Sequence, residues 1–225
     1  TLLYIIDASI GGKVAVNTRS GKNLIGAFHL PENIWIDQSF ISTLSKGELT
    51  SGQGELIKYL LLSEQIYKKF KDVNQLSELI TDCVSYKETI VTQDQREELE
   101  IRKILNFGHT FGHVLEVDNS LPHGVAVIWG IILITKLYSS DEVFTEVLQL
   151  IRDAQLDIGN APWINNFNID EVITSISKDK KSQGNEGIDL VILKKIGTPV
   201  IVSKKISEIK QDLKERMDDI QSIIL

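Results

Sequence analysis

The chain has 225 residues, about 1.5 domains by the length prior, which excludes a disulfide-stapled mini-protein and allows one sizeable core. Hydrophobic residues make up 42% and charged residues 24%, with 15 Gly and 4 Pro, the composition of a folded domain and not of a disordered chain. Lys and Arg number 24 against 31 Asp and Glu, a formal charge of -7, so no global basic field attracts nucleic acid or an anionic membrane, and any anion must be held by a local cluster. The single Cys83 can neither close an intramolecular disulfide nor supply a thiolate-rich metal site, which points to a reducing, cytoplasmic compartment.

The first residues, Thr1-Leu2-Leu3-Tyr4-Ile5-Ile6, read as a strand-like run leading into a glycine turn, without the charged leader of a signal peptide. This is the pattern expected of an α/β domain whose preceding part has been cut off or is encoded elsewhere. Residues 1–46 carry a strand candidate at Asn33-Ile34-Trp35-Ile36-Asp37 and no strong helical period. From Ser51 onward the pattern turns helical: residues 55–71, then Leu76, Leu79, Ile80, Cys83, Val84, Lys87, Ile90 and Val91 at helical spacing. Further helices are expected at about 101–117, 124–139, 141–154, 169–178 and 206–222. The longest apolar run, 125–135, falls short of the roughly 18 to 20 residues of a membrane span and predicts a buried helix. Near the end, 188–193 and 199–203 flank Lys194-Lys195-Ile196-Gly197-Thr198 and read as a β-hairpin. The expected class is mainly α with a small α/β portion: residues 1–46 the remnant of an α/β domain, residues 47–225 a helical domain.

Three of the four histidines fall between 109 and 123, in Asn106-Phe107-Gly108-His109-Thr110-Phe111-Gly112-His113 and Pro122-His123-Gly124. On a helix, His109 and His113 lie one turn apart on one face and can chelate a metal if a carboxylate or third imidazole converges; the blander reading is a capping histidine and satisfied core histidines. Gly108 and Gly112 cost about 1 kcal/mol each inside a helix, so either a ligand or another helix approaches closely. Ser9-Ile10-Gly11-Gly12-Lys13 and Gly21-Lys22-Asn23 combine backbone amides with lysines and could hold an anion, or the glycines could simply turn the chain. In Gly54-Glu55-Leu56-Ile57-Lys58, Glu55 and Lys58 share a helical face, which alone reads as an ordinary solvated pair. Lys87, Asp94, Glu97, Arg102 and Asn106 add polar positions that spacing alone does not select among.

Taken together, Asp7-Ala8-Ser9-Ile10-Gly11-Gly12-Lys13, Gly21-Lys22-Asn23-Leu24-Ile25-Gly26-Ala27-Phe28, Glu55-Leu56-Ile57-Lys58-Tyr59, the stretch from Arg102 to His113, and His123-Gly124 resemble the 3-dehydroquinate synthase family in order and spacing over essentially the whole chain. The resemblance lacks the family's N-terminal half. It implies an NAD- and metal-dependent sugar phosphate cyclase that turns 3-deoxy-D-arabino-heptulosonate 7-phosphate into 3-dehydroquinate plus phosphate in the shikimate pathway. It implies metal ligands Glu55, His109 and His123, holding Zn2+ or Co2+, and assigns His113 to substrate and proton transfer instead of the one-turn chelate. Lys13, Asn23, Lys87, Arg102, Asn106 and one of Lys180 or Lys181 match positions that hold the substrate's carboxylate, hydroxyls and phosphate, and Lys58 and Glu97 complete the catalytic set. Asp7, Lys13, Lys22, Phe40, Ile41, Ser42 and Thr43 match positions lining the NAD site, with Thr1 the second of a Thr pair there. The family pattern further implies a homodimer and an N-terminal domain whose glycine-rich turn holds the NAD pyrophosphate.

The chain departs from that pattern at Ala8, Gly54, Leu60 and Val125, and by one extra residue between Glu97 and Arg102. Val125 stands where an acidic residue is usual, and its loss is expected to weaken whatever orients His123. A relative such as 2-deoxy-scyllo-inosose or valiolone synthase would share metal and cofactor, but Arg102 and Asn106 favour a substrate with a carboxylate. The other readings are a non-catalytic helical fragment, which binds zinc without turnover, and a metal-dependent alcohol dehydrogenase, which releases NADH.

Overall fold

The computed structural model describes residues 1–19, 21–72, 76–118, 120–163, 167–180 and 187–223, with the backbone alone described at 17, 21–24, 71, 72, 118 and 178–180. The helices are α1 (Lys46–Leu62), α2 (Glu64–Asp72), α3 (Leu76–Gln93), α4 (His109–Asp118), α5 (His123–Tyr138), α6 (Asp141–Asp153), α7 (Ile169–Lys180), α8 (Ile206–Glu215) and α9 (Met217–Gln221). Two separate antiparallel hairpins accompany them: β1 (Lys13–Thr18) with β2 (Gly21–Phe28), and β3 (Gly187–Lys195) with β4 (Thr198–Lys205). The class is therefore the expected one, mainly α with a small portion of strand. None of the described helices is long and apolar enough to cross a membrane.

α5 is the axis of the core. Its residues are apolar all round and those at 125–135 are all buried, as a central helix requires and as the sequence predicts. α1 and α4 pack along it, and α6 and β3 cover it from other sides. The helices approach closely because glycines face each other. A Cβ at Gly130 would collide with the Gly108 carbonyl and the Gly112 amide, and one at Gly124 with the Ser51 backbone of α1. The glycines of the histidine motif thus serve helix packing, and Gly108, at φ +78°, lies outside α4.

Several boundaries differ from the sequence reading. The N-terminal apolar run is a helical turn, not a strand. Leu2, Ile6 and Ile10 recur every four residues, are buried, and pack the π-helical turn Tyr4–Ala8 against α1 and α3. No strand forms at 33–37, where Trp35 is 93% exposed and Asp37 instead caps a 3-10 segment, Gln38–Thr43, by accepting from the Ser39 amide at 2.9 Å. α1 starts nine residues before Glu55 because Ser45 and Glu48 form a reciprocal capping box. It ends at Leu62, so the expected 55–71 helix is two. The expected 101–117 helix is a 3-10 segment, Ile101–Asn106, followed by α4, with the left-handed Gly108 between them. The 206–222 helix likewise breaks at Arg216. The β1–β2 hairpin is absent from the sequence reading; Gly11-Gly12 lead into β1 and Gly21 opens β2, where the glycines suggested anion binding. The C-terminal hairpin is where it was expected, pairing Leu193 with Pro199, and Gly197 ties its tip to α1 by donating to Leu61 O at 2.8 Å.

This packing makes a direct prediction. Gly130→Ala should lower the unfolding free energy by about 2 kcal/mol, the usual cost of overpacking. Gly47→Ala, whose added Cβ meets nothing within 4 Å, should leave stability unchanged or raise it by up to about 1 kcal/mol. Urea titrations of the two variants beside the parent chain measure both.

Candidate active site

Three segments far apart in sequence meet at the N-terminal end of α5. Glu55, in the middle of α1, is 0% exposed and Lys58, one turn on, is 1% exposed. The pair that reads as solvated in the sequence is thus fully interior, because the close α1–α5 crossing closes over it. Lys58 Nζ is ion-paired with Glu55 Oε2. The other oxygen, Oε1, stands 3.4 Å from His109 Nε2 and 3.3 Å from His123 Nε2. Burial alone would raise the Glu55 carboxyl, but Lys58 and His109 hold it well below the usual carboxylate range. Lys58 is raised correspondingly: burial works against its charge, and Glu55 and Asp7 outweigh it.

The far nitrogens of both imidazoles are engaged by acceptors. His109 Nδ1 lies 3.1 Å from Phe107 O, and His123 Nδ1 lies 3.0 Å from Glu116 Oε2. A carbonyl and a carboxylate can only accept here, so the network assigns the proton to Nδ1 in both rings and leaves both Nε2 atoms aimed at Glu55. Oε1 has no hydrogen-bond partner of its own. One carboxylate oxygen and two imidazole nitrogens therefore converge within 4.8 Å of one another, a donor set that fits a divalent cation and leaves a coordination position open. The adjacent Glu55 carboxylate pushes His123 up to about 9, against its burial and with Glu116 adding to it.

His113 stands beside this group: its ring centroid is 5.3 Å from that of His109 and 6.2 Å from that of His123. It is not part of the Glu55 cluster, which is formed by His109 and His123. The one-turn chelate that spacing allowed is not the arrangement around Glu55. His113 belongs instead to a second group with Glu116 and His123.

A cavity of about 230 Å³ opens next to His109, lined among others by Asp7, Lys13, Lys58, Lys87, Glu97, Arg102 and Asn106. Lys87 Nζ donates to Asp7 O and to Asp7 Oδ1, both at 2.6 Å. Burial lowers Lys87 more than Asp7 raises it. Asp7, expected in a cofactor site, is thus found among the cations, with Lys58 at 3.7 Å as well. Burial raises its carboxyl, yet Lys58 and Lys87 bring it below its ordinary value. Glu97 is ion-paired with Lys13 and stands 3.8 Å from Arg102 Nε. Arg102 is buried, and its Nη1 is spent on Gly11 O at 3.1 Å and Gln95 O at 2.9 Å, while Nε has no hydrogen-bond partner.

Sequence reasoning gives no role to three residues found here. Tyr59 donates its hydroxyl to Asp7 Oδ1 at 2.6 Å, and burial, with Asp7, raises its phenol well above the ordinary value. Asp94 accepts from the amides of Leu99 at 3.0 Å and Arg102 at 3.3 Å, organising the loop that carries Glu97. Glu116 lies three residues after His113, a spacing that could have flagged it. The expected cofactor residues Thr1, Phe40, Ile41, Ser42 and Thr43 do not line the cavity. The Ser42 and Thr43 hydroxyls bond backward to Ser39 O and Phe40 O within their own 3-10 segment. The side chains of Lys22, Asn23 and Lys180, and Lys181 altogether, lie outside the described residues.

Solved structures show the fold. A 2-deoxy-scyllo-inosose synthase complexed with carbaglucose-6-phosphate, NAD+ and Co2+ superposes with TM-score 0.79 at 24% identity, covering 95% of this chain and 64% of that one. A 2-epi-5-epi-valiolone synthase from Streptomyces hygroscopicus with NAD+ and Zn2+ bound gives TM-score 0.79 at 22% identity, covering 97% and 65%. The chain therefore has the fold that these two synthases share. At the level of sequence, residues 52–182 match the 3-dehydroquinate synthase C-terminal family and residues 1–51 the N-terminal family. The chain belongs to the 3-dehydroquinate synthase family. Curated 3-dehydroquinate synthases from Dictyoglomus thermophilum and Methylacidiphilum infernorum are 37% and 38% identical to it, over 90% and 95% of this chain. The chain spans about 60% of the length of these relatives.

The buried pair sets a stability prediction. Lys58→Met leaves the Glu55 charge interior without its cation and should lower the unfolding free energy of the metal-free chain by about 3 kcal/mol. Adding Glu55→Gln to that variant should restore much of the loss. Denaturant titration of Lys58→Met, Glu55→Gln and the double variant beside the parent, as a double-mutant cycle, reads the coupling.

Proposed function

We propose that this chain is the metal- and substrate-binding part of a 3-dehydroquinate synthase, which converts 3-deoxy-D-arabino-heptulosonate 7-phosphate to 3-dehydroquinate and phosphate. The observation that carries the reading is the convergence of Glu55 Oε1, His109 Nε2 and His123 Nε2 beside a cavity lined by four cationic side chains. In this reading residues 1–46 close off an NAD-binding α/β domain and residues 47–225 form the helical domain. The assembled protein is a cytoplasmic homodimer.

Glu55, His109 and His123 would hold Zn2+ or Co2+. The metal would supply Lewis acidity toward a substrate carbinol, and NAD would supply the redox chemistry there. The other roles belong to the chain's side chains. Lys13, Lys87 and Arg102 are fixed cations for a substrate carrying a carboxylate and a phosphate dianion, with Asn106 offering its amide to a hydroxyl. Lys58 keeps Glu55 ionised and in place. His113 would pass a proton between substrate and solvent, a role its exposure at the edge of the histidine group supports. Glu97 balances Lys13 and Arg102. Lys22, Asn23 and Lys180 or Lys181 are assigned by the family pattern, as are Asp7, Thr1 and residues 40–43 on the NAD side.

The test is formation of dehydroquinate and phosphate from the heptulosonate phosphate with NAD and zinc. It is run with this chain alone and with the chain joined to the N-terminal part of the Dictyoglomus thermophilum relative. Turnover in the joined protein that falls at least about 10³-fold in Glu55→Ala is the expected result. A sugar phosphate lacking the carboxylate should not be turned over; if it is the better substrate, the protein is another cyclase. Zinc bound with no turnover of either substrate marks a non-catalytic fragment.

A further inference from the structure

We infer that Glu116 is the positioning residue that aims His123 at the metal, an inference resting on the metal site proposed above. α5 carries no acidic residue, and the position after Gly124 is Val125, buried in the core, so the helix that bears His123 offers its ring no carboxylate. The carboxylate comes from the neighbouring helix. His109, His113 and Glu116 stand at i, i+4 and i+7 on α4 and so share one face. That face meets the first turn of α5, where Glu116 Oε2 lies 3.0 Å from His123 Nδ1. The expected weakening of His123 orientation by Val125 is thus answered from α4.

The two histidines of the cluster are fixed differently. His109 gives its Nδ1 proton to Phe107 O, a neutral carbonyl two residues back in its own chain. His123 gives its proton to a carboxylate, which both fixes the tautomer and strengthens the opposite nitrogen as a donor. The contact is about one-quarter exposed on each side, so water competes with it only in part. Without the carboxylate the ring can turn over and present the wrong nitrogen to Glu55 and the metal.

The experiment measures zinc affinity of the full chain by competition with a chromophoric chelator, the number of ions bound, and the visible absorption of the Co2+-loaded protein. Glu116→Ala should weaken zinc binding about 10- to 100-fold and change the Co2+ spectrum, while the metal-free melting temperature stays within about 2 °C of the parent. Glu116→Gln, whose amide oxygen still accepts from Nδ1, should recover most of the affinity. Unchanged affinity and spectrum in Glu116→Ala would overturn the inference. So would two ions per parent chain with one lost in the variant, because Glu116 would then be a ligand in the group with His113. The underlying metal site is tested apart by His109→Ala: if the parent binds zinc and this variant binds it equally, the site itself is wrong, and a parent that binds no zinc sinks both ideas.

Discussion

A carboxylate with no exposure to solvent dominates this structure. An ionised Glu55 in the interior costs several kcal/mol unless its surroundings replace the water it has lost. Lys58 neutralises one oxygen, and the other is left facing two imidazoles. Meeting that demand forces α1, α4 and the start of α5 together, which is possible only because glycines line the crossings. Core packing and the donor cluster are therefore the same set of contacts, viewed from two sides. A change that loosens α5 also moves His123.

Electrostatic balance extends into the neighbouring cavity. Lys13, Lys58, Lys87 and Arg102 line it together with Asp7 and Glu97, so the cations outnumber the carboxylates there in a protein that is acidic overall. Asp7 and Glu97 keep the cations apart and oriented without cancelling them. The local positive surplus can attract a doubly anionic molecule even though the whole chain repels one at distance.

The class of fold, the buried central helix and the C-terminal hairpin were legible in the sequence because each rests on apolar patterning over many residues. The N-terminal run misled because a short apolar stretch has no distinguishing period; only the burial of Leu2 and Ile6 against two other helices makes it helical. The break before His109 was missed for a related reason, since Gly108 reads as a weak helix residue until its left-handed backbone is known. The grouping of Glu55, His109 and His123 came from resemblance, not from spacing: local arithmetic pairs His109 with His113, and the decisive partner, Glu55, is 54 positions before His109 and looks like a surface residue. Tyr59 escaped because it acts through a contact with Asp7 that no sequence period announces, and Glu116 because its partner His123 stands on the next helix.

The loop between α3 and the 3-10 segment Ile101–Asn106 is built unlike the rest. Asp94 clamps its two ends, and Glu97 and Glu100 inside it adopt left-handed backbone angles of 58° and 63° in φ. Both bonds come from one carboxylate, so Asp94 is the anchor through which Glu97 and Arg102 keep their places beside the cavity, whereas Glu55, His109 and His123 are held by the helix crossings of the core.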